Sequence, residues 1–73
     1  METMERTAVQ SSEIAIIGYD PEWGTLELVF HRGGVYHYSG VPVKIYQGLM
    51  AAPSRGTFFP EHIKSKYPYQ KIS

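Results

Sequence analysis

The 73-residue chain contains no cysteine, which excludes disulfides and thiolate metal sites and fits a reducing compartment. No apolar run approaches the ~20 residues that a membrane-spanning helix needs. The opening "METMERTAVQ" lacks the apolar centre of a signal peptide. A soluble, cytoplasmic protein is therefore expected. Catalytic signatures are missing too: there is no Walker loop, dinucleotide fingerprint or Ser/His/Asp arrangement. We expect no cofactor and no enzymatic activity. A chain this short forms one domain with a barely sufficient core.

What is abundant is aromatic. Six tyrosines, three phenylalanines and one tryptophan can each bury ~150–250 Å², so most are expected in the core. Trp23, although set in the polar loop "DPEWG", is expected to fold back over the end of the sheet. Net charge is zero but unevenly spread. Residues 1–40 carry Arg6 and Arg32 against Glu2, Glu5, Glu13, Asp20, Glu22 and Glu27, a balance of −4. Residues 41–73 carry Lys44, Arg55, Lys64, Lys66 and Lys71 against Glu61, a balance of +4. Such a split suits an anionic partner or head-to-tail self-association, and small domains also show it without function.

Residues 1–6 read as a flexible lead-in, and 7–73 as a single domain. Turn signals at 20–24, 32–34 and 39–42 recur about every ten residues, the spacing of a β-meander. The first strand, "SSEIAIIGYD", places Ile14 and Ile16 on one side and Ala15, Ile17 and Tyr19 on the other. "TLELVFH" alternates, with Leu26, Leu28 and Phe30 on one side; "VYHYS" follows the glycines. Ser11-Ser12 is assigned to turn and strand-edge chemistry rather than to a nucleophile. Beyond Val41 the period changes. Pro42 suits a helix start, Ile45, Tyr46, Leu49 and Ala52 form an apolar stripe, and Pro53 ends the helix. A second short helix is expected to begin near Pro60 and to carry Ile63 and Tyr67 on one side. Pro68 then keeps the end extended. The expected fold is α+β: a three-stranded antiparallel meander followed by two short helices packed on one face.

The loop between the second and third strands decides where Tyr36 and Tyr38 point. A two-residue loop sets them opposite the Leu26/Leu28/Phe30 face. A three-residue loop, Arg32-Gly33-Gly34, pairs Phe30 with Tyr36 and Leu28 with Tyr38, turning both rings inward. Pattern consistency favours the three-residue loop, with Gly34 at positive φ. Glu27, His31 and His37 then share the outer face, a formal two-histidine, one-carboxylate set. A flat sheet face offers no pocket, so no metal site is expected.

In order and spacing, "SSEIAIIGYD", Leu26, Phe30, "YHY" after a glycine, "GVP", "APSRG", "FF" and "IKSKYPY" together resemble the KTSC domain family. Pro60 departs from that pattern, where related sequences carry a capping asparagine. The resemblance implies a small module found alone in bacteria and phages and at the C-terminus of some lysyl-tRNA synthetases. It carries no established activity, and RNA binding has been suggested from that context.

The leading expectation is an anion-binding, nucleic-acid or nucleotide site in the basic second half. Lys44, Arg55, Lys64, Lys66 and Lys71 would contact phosphate. Ser54, Arg55, Gly56 and Thr57 would cradle one in a turn. Tyr67 and Tyr69 would stack on bases. An ordinary solvated lysine face explains the same residues without a ligand. The second expectation is a protein partner or homo-oligomer formed through exposed sheet edges.

Overall fold

The structure is a computed structural model and describes residues 4–73. Strands β1 (Glu5–Ala8), β2 (Ile14–Asp20), β3 (Thr25–Phe30) and β4 (Val35–Tyr38) form an antiparallel meander. Helices α1 (Val43–Ala51) and α2 (Arg55–Phe59) follow, α2 running on into a π-helical stretch, Pro60–Lys64. The chain then returns as β5 (Tyr69–Lys71) along the free edge of β4. The fold is α+β as expected, but the sheet has five strands in chain order, not three. Both additional strands are short and exposed along their whole length, so they lack the apolar alternation that marks the other three. Residues 5 and 6, assigned to the lead-in, belong to β1. Residues 1–3 lie outside the described residues.

The β3–β4 turn has three residues, displaced by one from the expected loop. Phe30 N–H donates to Gly34 O at 3.1 Å and Gly33 N–H to Phe30 O at 2.9 Å, leaving His31, Arg32 and Gly33 as the loop. Gly33 and Gly34 have φ of 103° and 104°, a region closed to most side chains. The correction moves the pairing by two, so that Leu28 faces Tyr36 and Leu26 faces Tyr38. An even shift preserves the faces, and both tyrosines point inward as expected.

Strand β2 departs from simple alternation. A register shift between Ile14 and Ile16 lets two of its residues oppose one of β3, the signature of a β-bulge. Ile14 therefore joins Ile17 and Tyr19 in the core, and Ile16 turns to the other face, contrary to the expected Ile14/Ile16 pair. Ser11 Oγ accepts from the backbone N–H groups of Glu13 and Ile14, both at 3.2 Å, just before the bulge. That is the turn role expected of it.

The core joins the inner sheet residues Ile14, Ile17, Tyr19, Leu26, Leu28 and Tyr38 to Leu49, Phe59 and Ile63 of the helical layer. Leu49 anchors the expected α1 stripe, with Ile45 and Tyr46 beside it. The second helix starts five residues earlier than expected, at Arg55. Ser54 caps it by accepting from Thr57 N–H at 3.3 Å. Pro60 lies inside the helical run, where the hydrogen-bond ladder widens to π spacing. Proline cannot donate to an α ladder, and π-helical turns occur mostly as single-turn irregularities inside α-helical runs.

Trp23 does not fold back; its side chain is 73% exposed. Val41 closes that end of the sheet instead. It is fully buried, accepts a hydrogen bond from the Tyr19 hydroxyl, and donates its N–H to Gly24 O at 2.8 Å. The loop is pinned beneath Trp23 by Gly24 N–H to Asp20 O and Glu22 N–H to Asp20 Oδ1.

Candidate functional site

Strand β5 lies beside β4 on the side facing the second helix, and a cleft of about 430 Å³ opens between them. Five rings form a closed circuit around its wall. Centroid separations are 5.6 Å for Phe30–Tyr36, 5.7 Å for Tyr36–Tyr69 and 5.4 Å for Tyr69–Tyr38. Tyr38–Phe59 at 5.5 Å and Phe59–Phe30 at 5.8 Å complete it. All lie in the range of favourable offset and edge contacts. The circuit is graded in exposure: Tyr38 is buried, Tyr36 half-buried, and Tyr69 59% exposed. Burial pushes the Tyr38 phenol above its ordinary value, and neighbouring Tyr69 and Tyr36 add to the effect. The inner wall is thus a neutral aromatic surface.

Charged groups meet at the mouth. Arg32 comes from the β3–β4 turn, Lys64 from the last position of the π-helical stretch, and Glu13 from the segment before β2. The Glu13 carboxylate has no hydrogen bond or ion pair among the described residues. Gly56 lies against it: a Cβ there would stand in ordinary contact, 3.7 Å from Glu13 Oε2.

The structure gathers some of the expected site residues and separates others. Gly56, Lys64 and Tyr69 line this cleft, and exposed Lys71 sits directly opposite Tyr36 in the sheet. Ser54, Arg55 and Thr57 line an adjoining shallow cleft that also includes Glu13. Arg55 is engaged in the fold: Nη2 donates to Met50 O at 2.6 Å and Nη1 to Gln10 O at 3.4 Å. Lys44, on α1, and Lys66, after the helix, are exposed and line neither cleft. Tyr67 is half-buried against the core. Sequence reasoning passed over Arg32, Glu13 and Tyr36. Their only signal was the inward direction of Tyr36, which on pattern consistency alone makes it mainly core wall with its hydroxyl at the sheet edge.

On the opposite face, Glu27, His37 and Arg6 form a separate cluster. Arg6 Nε donates to Glu27 Oε1 at 2.6 Å, and His37 Nε2 lies 2.9 Å from Glu27 Oε2. His31, placed with them by the sequence, stands in the turn beyond the end of β3. Both Glu27 oxygens already have protein partners, so the three residues do not converge as ligands.

Residues 10–67 match the model of the KTSC domain. An uncharacterised protein of Stutzerimonas stutzeri is 41% identical over 70 residues, covering 94% of this chain and 99% of that protein. A lysine–tRNA ligase of a Nostoc species is 36% identical over 64 residues, 88% of this chain but only 11% of the ligase. The chain thus corresponds to a small part of that enzyme. The crystal structure of a KTSC domain protein from Yersinia pestis superposes with a TM-score of 0.93 at 45% identity, covering 97% of this chain and all of that one. A domain match over most of its length, near full-length relatives and a shared fold together make this chain a member of the KTSC domain family.

Proposed function

We propose that the chain is a non-catalytic module that binds a short single-stranded segment of RNA, or a nucleotide, in the tyrosine cleft. The observation that carries this reading is Tyr69: a largely exposed ring held beside Tyr36, with Arg32 and Lys64 at the same mouth. Ring faces stack on any base, at about 1–3 kcal/mol per base, and nearby cations neutralise the backbone. The cleft is within the ~300–1,000 Å³ typical of small-ligand sites. A related segment inside lysine–tRNA ligases makes RNA the ligand class to try first. The test is an NMR titration with mixed-sequence single-stranded RNA. Amides of Arg32, Tyr36, Lys64 and Tyr69 are expected to shift together, with affinity falling steeply as salt rises. Shifts confined to other surfaces, or binding undiminished at about 0.5 M salt, would overturn the reading.

A second reading, self-association, has its own support. The sheet face away from the helices carries a lateral row of Ala8, Ile16, Val29, Val35 and Ile72, of which Ile72 is 49% exposed. Strands β1 and β5 also leave their outer edges unpaired among the described residues. A monomer by light scattering at millimolar concentration would remove this reading.

A further inference from the structure

We infer that Glu13 makes the tyrosine cleft selective for guanine, an inference that rests on the nucleic-acid reading above. A site built only for phosphate has no use for a carboxylate at its mouth, since like charges repel. Yet Glu13 stands where three clefts meet: the tyrosine cleft, the one beside Ser12 and His31, and the one beside Ser54 and Thr57.

Its backbone is held firmly. The Glu13 N–H donates to Ser11 Oγ at 3.2 Å, and its carbonyl accepts from His31 N–H at 2.9 Å. Its side chain, exposed at the mouth, has no hydrogen bond or ion pair among the described residues. Gly56 borders the carboxylate on a third side, at ordinary van der Waals range. A carboxylate is acceptor-only and offers two oxygens side by side. Its complement is a group with two adjacent donors.

A base stacked on the exposed ring of Tyr69 turns its edge, not its face, toward the rim of the cleft. Single-stranded bases are read on their Watson–Crick edges in this way. Guanine presents N1–H and the N2 amine next to each other, matching both carboxylate oxygens in charge-assisted bonds. Adenine and cytosine offer one amine beside a ring-nitrogen acceptor. Uracil offers one N–H between two carbonyls, which the carboxylate repels. The expected order is guanine first, adenine and cytosine next, uracil last.

The experiment compares the pentanucleotides UUGUU, UUAUU, UUCUU and UUUUU by fluorescence anisotropy with the full chain and with Glu13→Gln. UUGUU is expected to bind on the order of tenfold more tightly than UUUUU, as a two-pronged base contact provides. Replacing the central guanine by inosine, which lacks the N2 amine, is expected to remove most of that margin. Glu13→Gln is expected to erase the preference while binding UUUUU at least as well, because a negative charge has been removed. A merely structural role for Glu13 would weaken all four ligands alike. Equal affinities for the four oligonucleotides in the unaltered chain would overturn the guanine inference and leave RNA binding standing. A guanine preference surviving in Glu13→Gln would overturn the role of Glu13. Binding to none of them would overturn both this inference and the function it rests on.

Discussion

Arg6 reaches Glu27 by crossing over Gly18, which stands between them in the sheet. A Cβ on Gly18 would meet Arg6 Cγ at 3.1 Å and Met4 Sδ at 2.8 Å, so the missing side chain leaves the lane open. Glu27 is only 6% exposed, and His37, directly opposite on β4, takes its second oxygen. One carboxylate thereby ties the exposed edge strand β1 to the centre of the sheet.

Stability in acid should report this tie. The Arg6 hydrogen bond holds the Glu27 carboxyl below its ordinary range; burial opposes that, and the hydrogen bond from His37 adds to it. The unfolded chain therefore takes up the proton first. The contribution is complete above the ordinary glutamate value and is lost as pH falls through the lower, folded value. Glu27→Gln is expected to destabilise by about 1–2 kcal/mol at neutral pH, since Arg6 is partly solvated. It should also flatten the acid limb of urea-denaturation midpoints against pH. Parallel profiles for the two proteins would contradict this account.

Gly48 is the contact point between the helices. A Cβ there would lie 2.9 Å from Phe58 Cζ, a ring with no flexible end to yield. Alanine gains ~1 kcal/mol of helix propensity, whereas overpacking costs about 1–3 kcal/mol. Gly48→Ala is expected to lower stability by up to about 2 kcal/mol, read as a lower denaturation midpoint at unchanged slope. A stabilised variant would show that the helices separate freely.

Arg55 and Lys64 should fail differently. Arg55 bonds two carbonyls and buries its Nε without a partner among the described residues. Arg55→Lys is expected to cost about 1–2 kcal/mol of stability while leaving the salt dependence of RNA binding unchanged. Lys64→Ala is expected to leave stability within about 0.5 kcal/mol and to reduce the salt slope by about one. Interchanged outcomes would return Arg55 to the phosphate-contacting set.

Trp23 offers an optical check on the loop. Because it is the chain's only tryptophan and largely exposed, native emission should resemble that of a solvated indole and barely move on unfolding. Trp23→Ala is expected to change stability by less than about 0.5 kcal/mol. A blue-shifted native emission would place the ring over the sheet after all.

Periodicity was enough to read the core strands, the inward face of Tyr36 and Tyr38, and the apolar stripe of α1. Side-chain alternation and helical spacing are local properties of the chain, and burial on one face enforces them. Two features escaped for a local reason as well: the bulge that flips Ile14 relative to Ile16, and the π-helical run through Pro60. Each is an irregularity that the surrounding hydrogen bonds accommodate and that residue pattern does not announce.

The cleft itself was not legible. It exists because "YPYQKIS", read as an extended end, returns to pair with β4 and places Tyr69 beside Tyr36 and Tyr38. Such a pairing joins residues some thirty positions apart, and β5 has no apolar face to signal it. Glu13, Arg32 and Lys64 come from three separate segments and meet only when the sheet and the second helix pack together. Residue pattern specified the faces and much of the core, because those follow from the neighbours of each residue. Tertiary packing alone determined the site, because its members share no local sequence relationship.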